Sequence, residues 1–513
     1  MTQIAAALFD WDAVEARSDL ERFFLVRDHL PDSDLIAALE AKRGLGRDDY
    51  PVIPMWNAIV AGVVFQHESI ELLQRELSRN PSLLQACGFN VLPLQKKPVA
   101  QLVKNELSGR MDVVWPQPEA PHYAVPNSWN FSRFLSNLIA VETEQGLVSQ
   151  MLIDLREQLM AALPDFGQHL GYDGKAIDSH STGQVDNKSG LCSDPDADWG
   201  HHETVGVNTK TGTPWKKVKS WFGYGLHLIA DTHYEIPVAF HLTPASHSEQ
   251  VELRAMLDEL FEQTPGMAER CADFSADRGL DCAETKAKLW DEHHIRPLID
   301  TRELWRSEKQ EPNYGPGQPI TRPLYPDRAD TIVYTEKGTV HCVCLVNGTQ
   351  RDLAFQGFEA DRDTLKYRCP AAAYGLDCQG KAQCHAAGQV NPGDYGRIVR
   401  IDITEQNRRI FVPTPHGSPS WQRGYARRSA LERINNRIDN SFCFEKHFIR
   451  GQAKMKTRMG LALAVMMAMA LGHVKAGRIE QMRSLVQPIP IRKTGYQLKT
   501  GQNAELATVY LYH

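Results

Sequence analysis

Through the first 165 residues, apolar positions recur at three- and four-residue intervals, the repeat of a helix with one buried face. Leu35, Ile36 and Leu39 follow the polar run Pro31-Asp32-Ser33-Asp34, which suits a helix start, and Gly44 suits its stop. The same pattern predicts helices over residues 55–65, 70–78, 81–86, 129–141 and 147–163. Such a bundle fits a DNA-binding module of helix-turn-helix type or a packing and dimerisation domain; periodicity does not choose between them, and the rest of the chain favours DNA binding.

From Leu170 onward the repeat shortens and β-branched and aromatic residues become common. Residues 171–180 read as a strand carrying Asp173 and Asp178, followed by a polar loop to about residue 215. Strands are predicted at 220–230, 236–243, 271–277 and 295–300, with helices at 248–262 and 282–293. Three strands, a helix, then alternating strand and helix predict a mixed α/β sheet. Asp277 falls at the carboxyl end of the fourth strand, where sheets of this kind place ligands. Residues 301–420 break the rhythm with a proline-rich loop at 311–319 and alternating segments at 331–334, 341–345 and 398–403, which read as a β-rich insertion.

Residues 421–440 then predict one amphipathic helix. Leu431, Ile434 and Ile438 form its apolar stripe, and Tyr425, Arg428, Glu432 and Asp439 share a polar one. Such a stripe is either a solvated salt-bridge face or part of a site. Further helices are expected over 444–485, with the Met- and Ala-rich run 459–471 read as buried because it is short for a membrane span. The expected organisation is an α-helical N-terminal domain over 1–165, an α/β domain split into 166–300 and 421–490 by the insertion at 301–420, and a tail over 491–513.

Composition changes this picture at two points. The net charge is −6, yet residues 397–458 hold fourteen Lys and Arg against five Asp and Glu, a basic block suited to a polyanion or to an acidic neighbour within the fold. Ten cysteines, with no basic start of the kind a signal peptide requires, suggest reduced thiols or a metal site and a cytoplasmic protein. Cys369, Cys378, Cys384 and His385, with His341, Cys342 and Cys344 nearby, are candidate zinc ligands, weighed against free thiols and not favoured. Asp194, Asp196 and Asp198 alternate like a calcium loop but lack its glycine and closing glutamate, which favours a solvated loop. His227 and His241 read as core histidines, and Trp421 as either a base-stacking platform or a helix staple.

Asp173, Asp277 and Glu432 thus lie on separate elements of one predicted domain. Gathered carboxylates can hold a pair of Mg²⁺ or Mn²⁺ ions, because hard cations take oxygen ligands and relieve the repulsion among them. The runs Asp173-Gly174-Lys175 through Ser179-His180, Trp221 to His227, Ala276 to Asp281, and Tyr425-x2-Arg428-x3-Glu432 resemble the DDE transposases of bacterial insertion sequences. Two departures stand out. Asp439 occupies the place, seven residues after the glutamate, where that branch usually has lysine, and Arg278 and Leu280 replace its Lys and Tyr after the second carboxylate.

The resemblance implies a ribonuclease-H-like fold, with Asp173, Asp277 and Glu432 as catalytic and metal-binding residues and Mg²⁺ or Mn²⁺ as cofactor. Asp178 is the rival for the first position; five residues from Asp173, it would face the other side of the strand. Tyr425, Arg428 and Arg437, with Lys446, Arg450, Lys454 and Lys456, are expected to contact DNA. The implied activity is cleavage of double-stranded DNA at element ends and strand transfer by a homodimer away from any membrane. The alternatives are a metal-dependent nuclease on the same fold and a catalytically inert DNA-binding protein.

Overall fold

The computed structural model describes residues 20–44, 50–89, 101–104, 111–114, 125–183, 192–207, 213–302, 304–305, 320–327, 330–386 and 395–484. The proline-rich loop at 311–319 and the tail at 491–513 lie outside them.

The amino-terminal region is helical: α1 (Leu20–Arg27), α2 (Ser33–Arg43), α3 (Val52–Val64), α4 (Ile70–Arg79), α5 (Pro81–Cys87), α6 (Ser128–Gln145) and α7 (Leu147–Ala162). A small hairpin, β1 (Gln101–Lys104) with β2 (Met111–Val114), interrupts the helices and was not legible in the periodicity. The start of α2 differs in detail from the sequence reading. Asp32 does not cap the helix with its side chain, because its carboxylate accepts the Trp56 indole N–H at 2.5 Å.

The sheet follows, formed by β3 (His169–Asp178), β4 (Asp198–Val207), β5 (Pro214–Asp231), β6 (Ile236–Pro244), β7 (Asp273–Ala276) and β8 (Arg296–Ile299). Helices α8 (Glu249–Gln263) and α9 (Pro265–Arg270) lie between β6 and β7, and α10 (Ala283–Ala287) between β7 and β8. The strands run β6-β5-β3-β7-β8: β3 and β6 are antiparallel to β5, β7 is parallel to β3, and β8 is parallel to β7. The expected polar loop is corrected here. Residues 198–207 are strand β4, which pairs with the first half of the long β5 and projects as a ribbon with Lys216, Lys217 and Lys219 exposed. Its polar composition hid it, since neither face carries the apolar alternation that marks a half-buried strand. Asp194 is likewise fully buried rather than solvated, accepting from the Tyr224 hydroxyl at 2.8 Å and from Ser179.

The insertion holds a four-stranded sheet of β9 (Thr321–Pro323), β10 (Ile332–Thr335), β11 (Val340–Val343) and β12 (Gln350–Asp352). A second sheet comprises β13 (Ala354–Glu359), β14 (Thr364–Arg368) and β15 (Ile398–Asp402), with short helices α11 (Pro370–Tyr374) and α12 (Lys381–Ala386) between the last two strands. These sheets share a core of their own that includes Trp305, Ile332, Leu365, Ile401 and Phe411. A buried ion network joins it to the main sheet: Lys286 donates to Asp281 at 2.6 Å, and Arg409 pairs with Asp281 at 2.7 Å and with Glu336.

The chain then forms α13 (Pro419–Ala426), α14 (Ser429–Asn436) and the 24-residue α15 (Gln452–Lys475). Helix α15 is the one helix among the described residues that is long and apolar enough to cross a bilayer, and here it is core. It packs against α1, α3, α6, α7 and β6, so the amino-terminal helices and the sheet share one hydrophobic core. Gly460 and Gly472 allow that approach. A Cβ on Gly460 would lie 2.9 Å from Val148 Cγ1, and one on Gly472 would lie 2.6 Å from Leu25 Cγ.

Candidate active site

Asp173 sits midway along β3, paired across the ladder with Leu228 of β5. Asp277 is the first residue beyond β7 and accepts the Arg278 amide at 2.7 Å, starting a single 3₁₀ turn that points the chain away from the sheet. Glu432 lies on α14, which packs on β3 through buried Leu431 and Ile434. Three separate elements therefore deliver the three carboxylates to one end of the sheet.

The expected single helix over 421–440 is broken. The amides of Arg427 and Arg428 bond to the carbonyls three residues back, at 3.2 and 2.9 Å, so the chain tightens between α13 and α14, and a π turn over Arg437–Ser441 ends the segment. Packing decides the break. A Cβ on Gly424 would lie 2.4 Å from Leu298 Cδ1, so α13 rests directly on β8, while Arg427 is anchored to Asp273 at 2.8 Å. Tyr425, Arg428 and Glu432 nonetheless meet. The Arg428 guanidinium lies 5.8 Å from the Tyr425 ring centre, donates to Glu432 at 3.2 Å, and stands 3.9 Å from Asp173 Oδ1.

Burial drives the Asp173 carboxyl up to about 6; Arg428 opposes this, and Asp277, Glu249 and Glu432 add to it. Against the same cost of burial, Tyr425, Asp277, Asp173 and Glu432 hold Arg428 charged. Among the described residues, no three Asp, Glu, His or Cys side chains already converge as a ligand set. Here a guanidinium stands among the carboxylates instead. The donor set fits Mg²⁺ or Mn²⁺: they are hard oxygen ligands, and a dication offsets both the cost of burying their charge and the repulsion among them. Asp178 is exposed at the end of β3, away from these contacts.

Three contributors escaped the sequence reading. Asn435, one turn after Glu432, donates to Asp173 Oδ2 at 2.7 Å; its Glu-x2-Asn spacing was visible, but its target was not. Lys175, two residues beyond Asp173, donates to Asp439 at 2.6 Å, so the departing Asp439 has a cationic partner from the strand. Glu249, in the first turn of α8, approaches Gly174 so closely that a Cβ there would lie 2.5 Å from its Oε1. Trp421 is buried and stacks on Tyr425 with ring centres 4.6 Å apart, so it braces the start of α13.

The basic residues divide. Arg450 and Lys454 line a groove of about 470 Å³ with His67, Ser69 and Arg458, whereas Lys456 faces another groove beside Glu259 and His241. Lys446 is exposed, a few residues before them in the chain. Arg437 donates to the Glu235 carbonyl at 2.7 Å and pairs with its carboxylate, a structural engagement that removes it from the surface.

Residues 169–468 match the family model described as the transposase DDE domain, more than half of the chain. The chain belongs to the DDE transposase family. The matched span opens at the first residue of β3 and closes inside α15, so it takes in all three carboxylates and the insertion between the second and third. Comparison with curated proteins and with solved structures found no match.

Proposed function

We propose that this transposase binds the ends of a mobile element and catalyses metal-dependent DNA cleavage and strand transfer at Asp173, Asp277 and Glu432. The observation that carries this reading is the meeting of those carboxylates around Arg428, from a central strand, the end of its parallel neighbour and a helix beyond the insertion. The order β6-β5-β3-β7-β8, with its first three strands antiparallel and its last two parallel to β3, supports a ribonuclease-H-like fold.

Asp173, Asp277 and Glu432 would hold the metal ions. Mg²⁺ bound there supplies activation of a water or 3′-hydroxyl and charge stabilisation at the leaving oxygen. Asn435 orients the Asp173 carboxylate by its hydrogen bond, and Trp421 fixes the Tyr425 ring by stacking. Arg428, released from the carboxylates once their charge is matched, presents a planar fork to phosphate oxygens, with Tyr425 beside it. Lys446, Arg450 and Lys454, together with Lys217 and Lys219 of the β4–β5 ribbon, carry the backbone of double-stranded DNA, and pairing two ends calls for a homodimer.

The test is strand transfer by purified protein with Mg²⁺ on DNA bearing the element ends. Glu432→Gln is expected to abolish joined product and cleavage while binding persists. Cleavage without joining by the unmodified protein would favour a nuclease, and binding without either reaction an inert DNA-binding protein.

A further inference from the structure

Five of the ten cysteines line one cavity of about 40 Å³ in the insertion: Cys342, Cys344, Cys369, Cys378 and Cys384. They come from both of its sheets. Cys342 and Cys344 lie on and just beyond β11, Cys369 follows β14, Cys378 precedes α12, and Cys384 lies within it. All are free thiols. Cys384 lies with Cys344, Cys369 and Cys378 in the lining of this cavity. Cys342 shares this lining, and its thiol is engaged by donating to Thr331 Oγ1 at 3.8 Å.

Cys344 opens a tight turn closed by the Gly348 amide on its carbonyl at 2.8 Å. Glycine is needed at two points. A Cβ on Gly380 would lie 3.2 Å from Cys344 Sγ, and Gly396, at φ 72°, has no room because its Cβ would lie 2.6 Å from that of Ala372 and 3.0 Å from that of Cys369.

This corner also lacks another source of stability. Helices α11 and α12 span five and six residues, too short to persist alone, and none of their residues belongs to the core that joins the two sheets. Two polar contacts tie the Cys344 turn to the Cys378 loop, Asn347 to Gln379 at 3.1 Å and Arg351 to the Asp377 carbonyl at 2.7 Å. A structural metal supplies what a small apolar core cannot.

We propose that Cys344, Cys369, Cys378 and Cys384 form a structural four-thiolate Zn²⁺ site that staples the two sheets of the insertion together. The thiols close on the ion by side-chain rotation into the shared cavity. This narrows the candidates suggested by sequence spacing: Cys344 joins Cys369, Cys378 and Cys384, and His385, whose side chain lies outside those described, is not required. The site is separate from the carboxylates and independent of the reaction proposed for them.

Metal analysis of the purified full chain is expected to find about one zinc per chain, and Co²⁺ exchanged into it to show the strong near-ultraviolet absorption of thiolate ligation in tetrahedral geometry. Cys344→Ser combined with Cys378→Ser is expected to lose both signals, while Cys192→Ser, outside the cavity, and Glu432→Gln keep them. Zinc retained by the double variant would mean an adventitious ion only and overturn the proposal. If the double variant does not fold, the unmodified protein decides: a folded chain without stoichiometric zinc, or a Co²⁺ spectrum without thiolate absorption, overturns it.

Discussion

Arg428 faces three carboxylates and an aromatic ring, and its place in the chain shows how one residue can serve two states. It offsets the repulsion among Asp173, Asp277 and Glu432, and in the proposed reaction dications would take over that task and leave the guanidinium to phosphate. His241 is a simpler case, held between Glu252 at 2.6 Å and Glu259 at 2.8 Å. Burial disfavours its charge, yet the bonds to Glu259 and Glu252 prevail and raise its pKa above the ordinary value. A histidine whose folded pKa exceeds the unfolded value contributes stability that is complete below the unfolded pKa, about 6.5, and is lost as pH rises through the folded one. Urea unfolding of His241→Gln should therefore show a deficit against the unmodified protein that is largest near pH 6 and shrinks toward alkaline pH. A deficit independent of pH would show that the ion pairs contribute nothing.

Among the elements, the segment from α13 to α14 is the most instructive. Its apolar stripe was readable, and Leu431, Ile434 and Ile438 are all fully buried. The break at Arg427 was not readable, because its cause is the contact of Gly424 with Leu298 on β8, a residue more than a hundred positions away. Strand β4 escaped for the converse reason: its pairing with β5 is made by backbone groups, and its side chains carry no apolar alternation. The link between insertion and sheet rests on Asp281, whose side chain is fully buried between Lys286 and Arg409. Lys286→Met removes one partner and leaves buried negative charge less compensated, which is expected to cost about 3 kcal/mol or more in denaturant unfolding. A change within about 0.5 kcal/mol would show that Arg409 alone satisfies Asp281.

Across the whole molecule, the amino-terminal helices and the sheet are held together by α15, whose stretch from Met459 to Leu471 is apolar on every side and buried throughout. The basic block legible near the carboxyl end does not form one surface. Arg437 pairs with Glu235 and Lys456 faces Glu259, whereas Arg450 and Lys454 line the groove beside α4 and α6, and the β4–β5 ribbon adds exposed lysines from elsewhere in the chain. Replacing Lys446, Arg450 and Lys454 by Ala is therefore expected to weaken DNA binding for every sequence and to flatten its salt dependence, the slope falling by about one for each phosphate left without its cation. An unchanged slope, measured by titration across salt concentrations, would place the DNA elsewhere.

Local chemistry was sufficient for much of this protein. Helical periodicity located six of the seven described amino-terminal helices within a few residues and missed α1, the change of repeat at Leu170 marked the start of the sheet, and the residue spacings around Asp173, Asp277 and Glu432 carried the family resemblance. Each of those signals depends on side chains close together in the chain. What only the tertiary structure decided depends on groups far apart: Asn435 reaching Asp173, Lys175 answering Asp439, Gly424 against Leu298, and five cysteines from two sheets around one cavity. Periodicity reports which face of an element is buried, but only the packed chain determines what that face meets.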